Sequence, residues 1–99
     1  MKIIINGTSM EPTMFEGETY KVLPVDPETL QVRDIVVAKI NGEIVVKRIT
    51  DIYALAVDLK GDNQKASKDF DLVSKKKIYY KVIRPTLWTK LLRRCKKCR

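Results

Sequence analysis

Asn41-Gly42 stands between two β-branched apolar runs, Asp34-Ile35-Val36-Val37-Ala38-Lys39-Ile40 and Glu43-Ile44-Val45-Val46-Lys47-Arg48-Ile49. Asn-Gly readily takes the positive φ values of a two-residue hairpin turn, so the two runs are expected to fold back on each other as antiparallel strands. This turn sets the register around it. It places Lys47, a cation in an otherwise apolar strand, about five residues into the returning strand. Alternation then sends Lys47 to the same face as Val45 and Ile49, and Val46 and Arg48 to the other.

The rest of the chain follows the same period. Ile3 to Ile5, Thr19 to Leu23, Ile52 to Leu59, Leu72-Val73 and Ile78 to Ile83 read as short strands. Glu16-Gly17-Glu18, Pro24 to Thr29, Gly61-Asp62-Asn63 and Lys75-Lys76-Lys77 read as turns or solvated breaks, and Gln64 to Asp71 as a polar loop. The fold class is mainly β. After Pro85 the period changes. Leu87, Trp88, Leu91, Leu92 and Cys95 fall on one face of a helix, with Lys90, Arg93, Arg94, Lys96 and Lys97 over the remainder. With 99 residues, the chain is expected to form one domain, a core over 1–85 and a short amphipathic, basic C-terminal helix over 86–99.

The net charge of +8 is concentrated in that tail. From Arg84 to Arg99 there are seven basic residues and no acidic one, and the body before it is close to neutral. This pattern points to a local anionic partner, with Trp88 suited to a membrane interface, or to a terminal helix packed on the core. It does not fit nucleic-acid binding, which needs a basic surface on the body as well. No apolar run approaches the roughly 18 residues of a membrane span, and the segment before Asn6 is too short for a signal peptide. The chain is expected to be soluble or peripherally bound. Cys95 and Cys98 form one C-x-x-C with no further Cys and no histidine to complete a metal site. No metal or cofactor is expected.

The absence of histidine also excludes a Ser-His-Asp triad. A serine nucleophile here needs another base, and a lysine desolvated among aliphatic side chains can serve if burial lowers its proton affinity and no carboxylate lies close. Ser9, in Gly7-Thr8-Ser9-Met10-Glu11-Pro12-Thr13, and Lys47 are the candidate pair. Each also has a simpler reading. A serine in such a segment can cap a turn, and a lysine in a strand can guard a solvent-facing edge.

Taken in order, the Ser9-Met10-Glu11-Pro12 box, the Lys47-Arg48 box, Gly61-Asp62-Asn63 and Ser67-Lys68-Asp69 resemble the bacterial signal peptidase I family of serine–lysine endopeptidases, over roughly Ile3 to Ile83. The resemblance implies coiled antiparallel β-sheets, Ser9 as nucleophile, Lys47 as general base and Ser67 as the hydroxyl that orients the lysine. It implies an oxyanion hole at the Ser9 N–H and at the Gly7 position, which carries a serine in some members. It further implies a peptide or preprotein substrate with small residues at −1 and −3, held beside Met10, Pro12 and Val46. The candidate edges for strand pairing are Met10 to Thr13 and Glu43 to Val46.

The sequence departs from the family pattern in several places. Phe70-Asp71 replaces the usual Ser-Arg or Thr-Arg, which leaves Asp69 without its arginine. The connection from Lys47 to Gly61 is short, and the usual N-terminal anchor is expected to be missing. Two alternatives stand beside the peptidase reading. One is a relative of the LexA-type repressors, which share the dyad and cleave themselves, though their scissile segment is expected to lie upstream of the serine. The other is an inactive β-domain that binds peptide or membrane.

Overall fold

The computed structural model describes residues 1–83. The amphipathic helix expected over 86–99 and the Cys95–Cys98 pair lie outside the described residues. Among the described residues no helix is long and apolar enough to cross a membrane.

Among the described residues seven strands form one sheet: β1 (Lys2–Ile4), β2 (Thr19–Pro24), β3 (Ile35–Ile40), β4 (Glu43–Ile52), β5 (Ala56–Lys60), β6 (Phe70–Ser74) and β7 (Ile78–Ile83). The spatial order is β1-β2-β7-β3-β4-β5-β6, and every neighbouring pair is antiparallel. The expectation of a mainly β, antiparallel fold holds. Asn41 and Gly42 take φ of 51° and 82°. With both in the left-handed region they form the two-residue turn that the hairpin needs. Ile40 then pairs with Glu43, and Val36 with Lys47.

The run Ile35-Val36-Val37-Ala38 is buried on both faces, as expected of a central strand with apolar material on either side. Val36, Ala38 and Ile40 join Ile49, Val57, Leu59, Val73 and Ile78 in one apolar cluster. Ile35 and Val37 join Ile5, Met10, Met14, Val22 and Val82 in another. In a flat sheet β1 and β4, four strands apart, would be separated by about 19 Å. Here residues of both line one cleft, so the sheet is strongly coiled.

Two strand expectations need correction. Ile52 to Leu59 is not one strand, because the chain turns at Tyr53–Leu55 and returns as β5, with Ile52 opposite Val57. Local bonds hold the turn. Tyr53 N–H donates to the Ala56 carbonyl at 2.8 Å, and Tyr53 OH donates to Asp58 Oδ2 at 2.9 Å. A Tyr-Ala-Leu turn contains neither glycine nor proline, so residue type does not reveal it. The last part of the expected 64–71 loop is likewise strand: β6 starts at Phe70, which pairs with Leu59.

Candidate active site

Lys47 is 5% exposed and is the one charged residue among the buried side chains described. Its Nζ donates to Ser67 Oγ at 3.0 Å. That oxygen also accepts from the Gly61 N–H at 2.8 Å. Burial pushes the Lys47 ammonium below its ordinary range, since desolvation disfavours the charged form, while the Asp69 carboxylate opposes this to a smaller extent. The condition that no carboxylate stand close is therefore not fully met, and desolvation outweighs the charge. A neutral amine has two N–H groups and one lone pair. With Ser67 Oγ taking an N–H, the lone pair is left for another proton.

Ser9 sits in the connection between β1 and β2 and is half-buried. Two consecutive turns follow it: Glu11 N–H donates to the Thr8 carbonyl at 3.2 Å, and Thr13 and Met14 N–H donate to the Met10 carbonyl at 2.8 and 2.9 Å. Met10 and Met14 are fully buried and root this loop in the core. Ser9 and Lys47 line one cleft of about 380 Å³. Ile3 to Asn6 and Ile44 to Val46 line it as well, with the buried Val37 and Met10. Among the described residues, no hydrogen bond joins Ser9 Oγ directly to Lys47 Nζ. Catalytic hydrogen bonds often tighten only once substrate is bound.

A third segment ties the serine loop to the lysine strand. Asn63 N–H donates to the Ser9 carbonyl at 2.8 Å, and Asn63 Nδ2 donates to the Thr8 carbonyl at 3.0 Å. The Asp62 carboxylate takes a bidentate pair from Arg48, Nε to Oδ1 at 2.8 Å and Nη2 to Oδ2 at 2.7 Å. It also accepts from the Thr13 hydroxyl. Arg48 donates in addition to the Arg33 carbonyl at 2.8 Å. Gly61 lies so close to Ser67 and to the Ser9 carbonyl that a Cβ would fall 2.1 Å from Ser67 Oγ and 2.5 Å from Ser9 O. Asp62 thus joins the residue next to Lys47 to the loop that carries Ser9, a planar two-point recognition suited to arginine.

A family model described as Peptidase S24-like matches residues 2–82. The chain belongs to that family. No curated protein matches it. The S24-like match assigns a peptidase-type β fold and does not reach as far as signal-peptide processing.

Within this S24-like domain the other expected site residues are placed differently from one another. Val46 is half-buried and lines the cleft. Met10 is buried and also lines it. Pro12 is exposed and is not among the lining residues. Met10 to Thr13 is a turn and offers no strand edge, which corrects that half of the pairing expectation. Gly7 also lies outside the lining residues, and its N–H points to Glu16 Oε1 at 3.4 Å. Among the described residues nothing accepts from the Ser9 N–H. Arg48 does leave the Lys47 face as alternation requires, but it leaves to bind Asp62. No sequence signal named that partner, nor the roles of Thr13 and Asn63; the Gly61-Asp62-Asn63 box signalled that something was there.

Proposed function

We propose that this S24-like domain is a serine endopeptidase of the signal-peptidase-like kind, cutting extended peptides after small residues, with Ser9 as nucleophile and Lys47 as general base. The observation that carries the reading is Lys47 itself: a buried lysine, its Nζ held by Ser67 Oγ at 3.0 Å, in the cleft that Ser9 also lines. Neutral Lys47 takes the Ser9 hydroxyl proton as Oγ attacks the scissile carbonyl carbon. The developing oxyanion is met by the Ser9 N–H. The lysine then returns its proton to the leaving amine, and water repeats the sequence on the acyl-enzyme.

Two backbone edges support an extended substrate. Among the described strands β1 is a sheet edge, with β2 as its one neighbour. The Glu43–Lys47 half of β4 pairs with β3, while pairing to β5 begins at Arg48. Both edges border the cleft, so a peptide can add as a strand between them. Ile3, Ile44 and Val45 line the same cleft as Ser9, and branched side chains at these places favour a small residue at −1. Peptides ending in Ala-x-Ala before the cut are expected to be cleaved with kcat/KM more than about 100-fold above that of the same peptides with Phe at −1. Mass-spectrometric time courses read this directly, and equal rates would remove the specificity reading. The family match is as compatible with a self-cleaving repressor relative. Loss of the intact chain at a rate independent of its concentration, without added peptide, would favour that alternative.

The acid limb of activity should report Lys47. Its folded pKa is lowered by burial, so kcat/KM rises with pH through that lowered value and is weak in mild acid, where the ammonium persists. Between the lowered value and about 10.4 the unfolded chain binds more protons than the folded one, so stability also rises with pH across this window. Lys47→Met should flatten that slope in urea titrations at a series of pH values. An activity optimum below about pH 5 would mean that another group is the base.

A further inference from the structure

Phe70 opens β6 opposite Leu59 and packs, half-buried, on the cluster that contains Val36 and Ile49. Its ring centroid lies 6.0 Å from Lys47 Nζ and 5.7 Å from Lys68 Nζ. Residues 69 and 70 therefore act on Lys47 in succession: a carboxylate whose charge favours the ammonium, then an aromatic ring beside it. We propose that Phe70 is a positioning residue for Lys47, its ring covering the amine end of the side chain and keeping water from the Lys47–Ser67 pair. The inference rests on the reading of Lys47 as the base.

A ring near an ammonium can act in two opposed ways. As an apolar cover it disfavours the charge by excluding water. Through its π face it favours the charge, an attraction that reaches to about 6 Å. Lys47 stands at that limit, and Lys68 competes for the same ring from slightly closer, so the cover prevails. The other charged groups around Lys47 do not replace this role. Asp69 favours the ammonium. Arg48, next along β4, is committed to Asp62. Val36, opposite on β3, is uncharged.

The test is to titrate Lys47 by NMR in protein labelled at lysine Cε, with the resonance assigned from Lys47→Arg, in parallel with pH profiles of peptide cleavage. In Phe70→Ala the Lys47 midpoint should move to higher pH, with about a tenfold gain in proton affinity, and the acid limb of kcat/KM should move with it. Phe70→Leu, apolar but without a π face, should stay close to the parent. Asp69→Asn should move the midpoint to lower pH. If Phe70→Ala does not fold, Phe70→Thr, suited to a strand, carries the same measurement. An unmoved midpoint in a folded Phe70→Ala or Phe70→Thr protein overturns the proposal. So does a midpoint that falls, in that variant or in Phe70→Leu, because the ring would then be holding the ammonium. A protein that cuts no peptide yet shows the Phe70→Ala shift keeps this inference and loses the peptidase reading. One that cuts peptide without the shift does the reverse.

Discussion

Ser9→Ala and Lys47→Ala are each expected to lower peptide cleavage by at least about 10⁴-fold while the sheet stays folded, and the double variant should be no worse than either. The reason is the division of labour. A serine hydroxyl without a base is a poor nucleophile at neutral pH, and a base without the hydroxyl has nothing to activate. Lys47→Arg should fail as completely, because a guanidinium stays charged at any pH the fold survives, and it would add a larger cation to a site that is 5% exposed. Ser67→Ala should cost less, since it frees the lysine without removing it. Cleavage assays with circular dichroism on the same samples check all five. Substantial activity in Lys47→Ala would remove lysine from the mechanism, and non-additive loss is what identifies the pair as one unit.

Gly61→Ala is expected to be the most damaging single-methyl change in the described domain. Its Cβ would lie 2.1 Å from Ser67 Oγ, 2.5 Å from Ser67 Cβ and 2.5 Å from the Ser9 carbonyl oxygen. Ser67 is a small side chain pinned between Lys47 Nζ and the Gly61 N–H. The Ser9 carbonyl is backbone and already accepts from Asn63. Neither can yield without displacing Ser9 or Lys47. The overpacking should cost about 1–3 kcal/mol, a fall in Tm of roughly 5–20 °C for a domain of this size. Activity should fall further than the folded fraction does. Gly42→Ala is the control. Gly42 has φ of 82° but open space around its Cβ position, so the cost there is backbone strain of about 1 kcal/mol and the folded protein should cut at the parent rate. Equal effects of the two substitutions on kcat/KM would show that Gly61 is not there for close packing.

Much of the site could be read from residue order because it depends on local rules. Asn41-Gly42 imposes its turn, the turn imposes the register, and the register carries Lys47 to the face it shares with Ile49. Nothing beyond nearest neighbours enters. The turn at Tyr53–Leu55 was hidden for the complementary reason: its bonds to Ala56 and Asp58 rest on a tyrosine hydroxyl and a backbone amide rather than on a glycine or proline. Arg48 shows the second kind of gap. Alternation says which way its side chain leaves the strand and cannot say what waits there. The partner, Asp62, arrives from a loop beyond the next strand. Met10 is a third case. In the sequence it is one residue of a box, and in the fold it is part of the core beneath the serine, a burial that depends on how far the sheet coils.

The coupling of the serine loop to Asp62 and Asn63 has a consequence for the order of events during synthesis. A nascent chain that ends at Lys60 already contains Ser9 and Lys47, yet it lacks the strap that joins their elements and the hydroxyl that holds the lysine. Contacts between residues this far apart in sequence close late, after the loop entropy between them has been overcome. On the proposed reading of Ser9 and Lys47, competence belongs to the finished sheet and not to either half of it. A half-made copy carries Ser9 and Lys47 without the contacts of Asp62, Asn63 and Ser67 that tie their elements together.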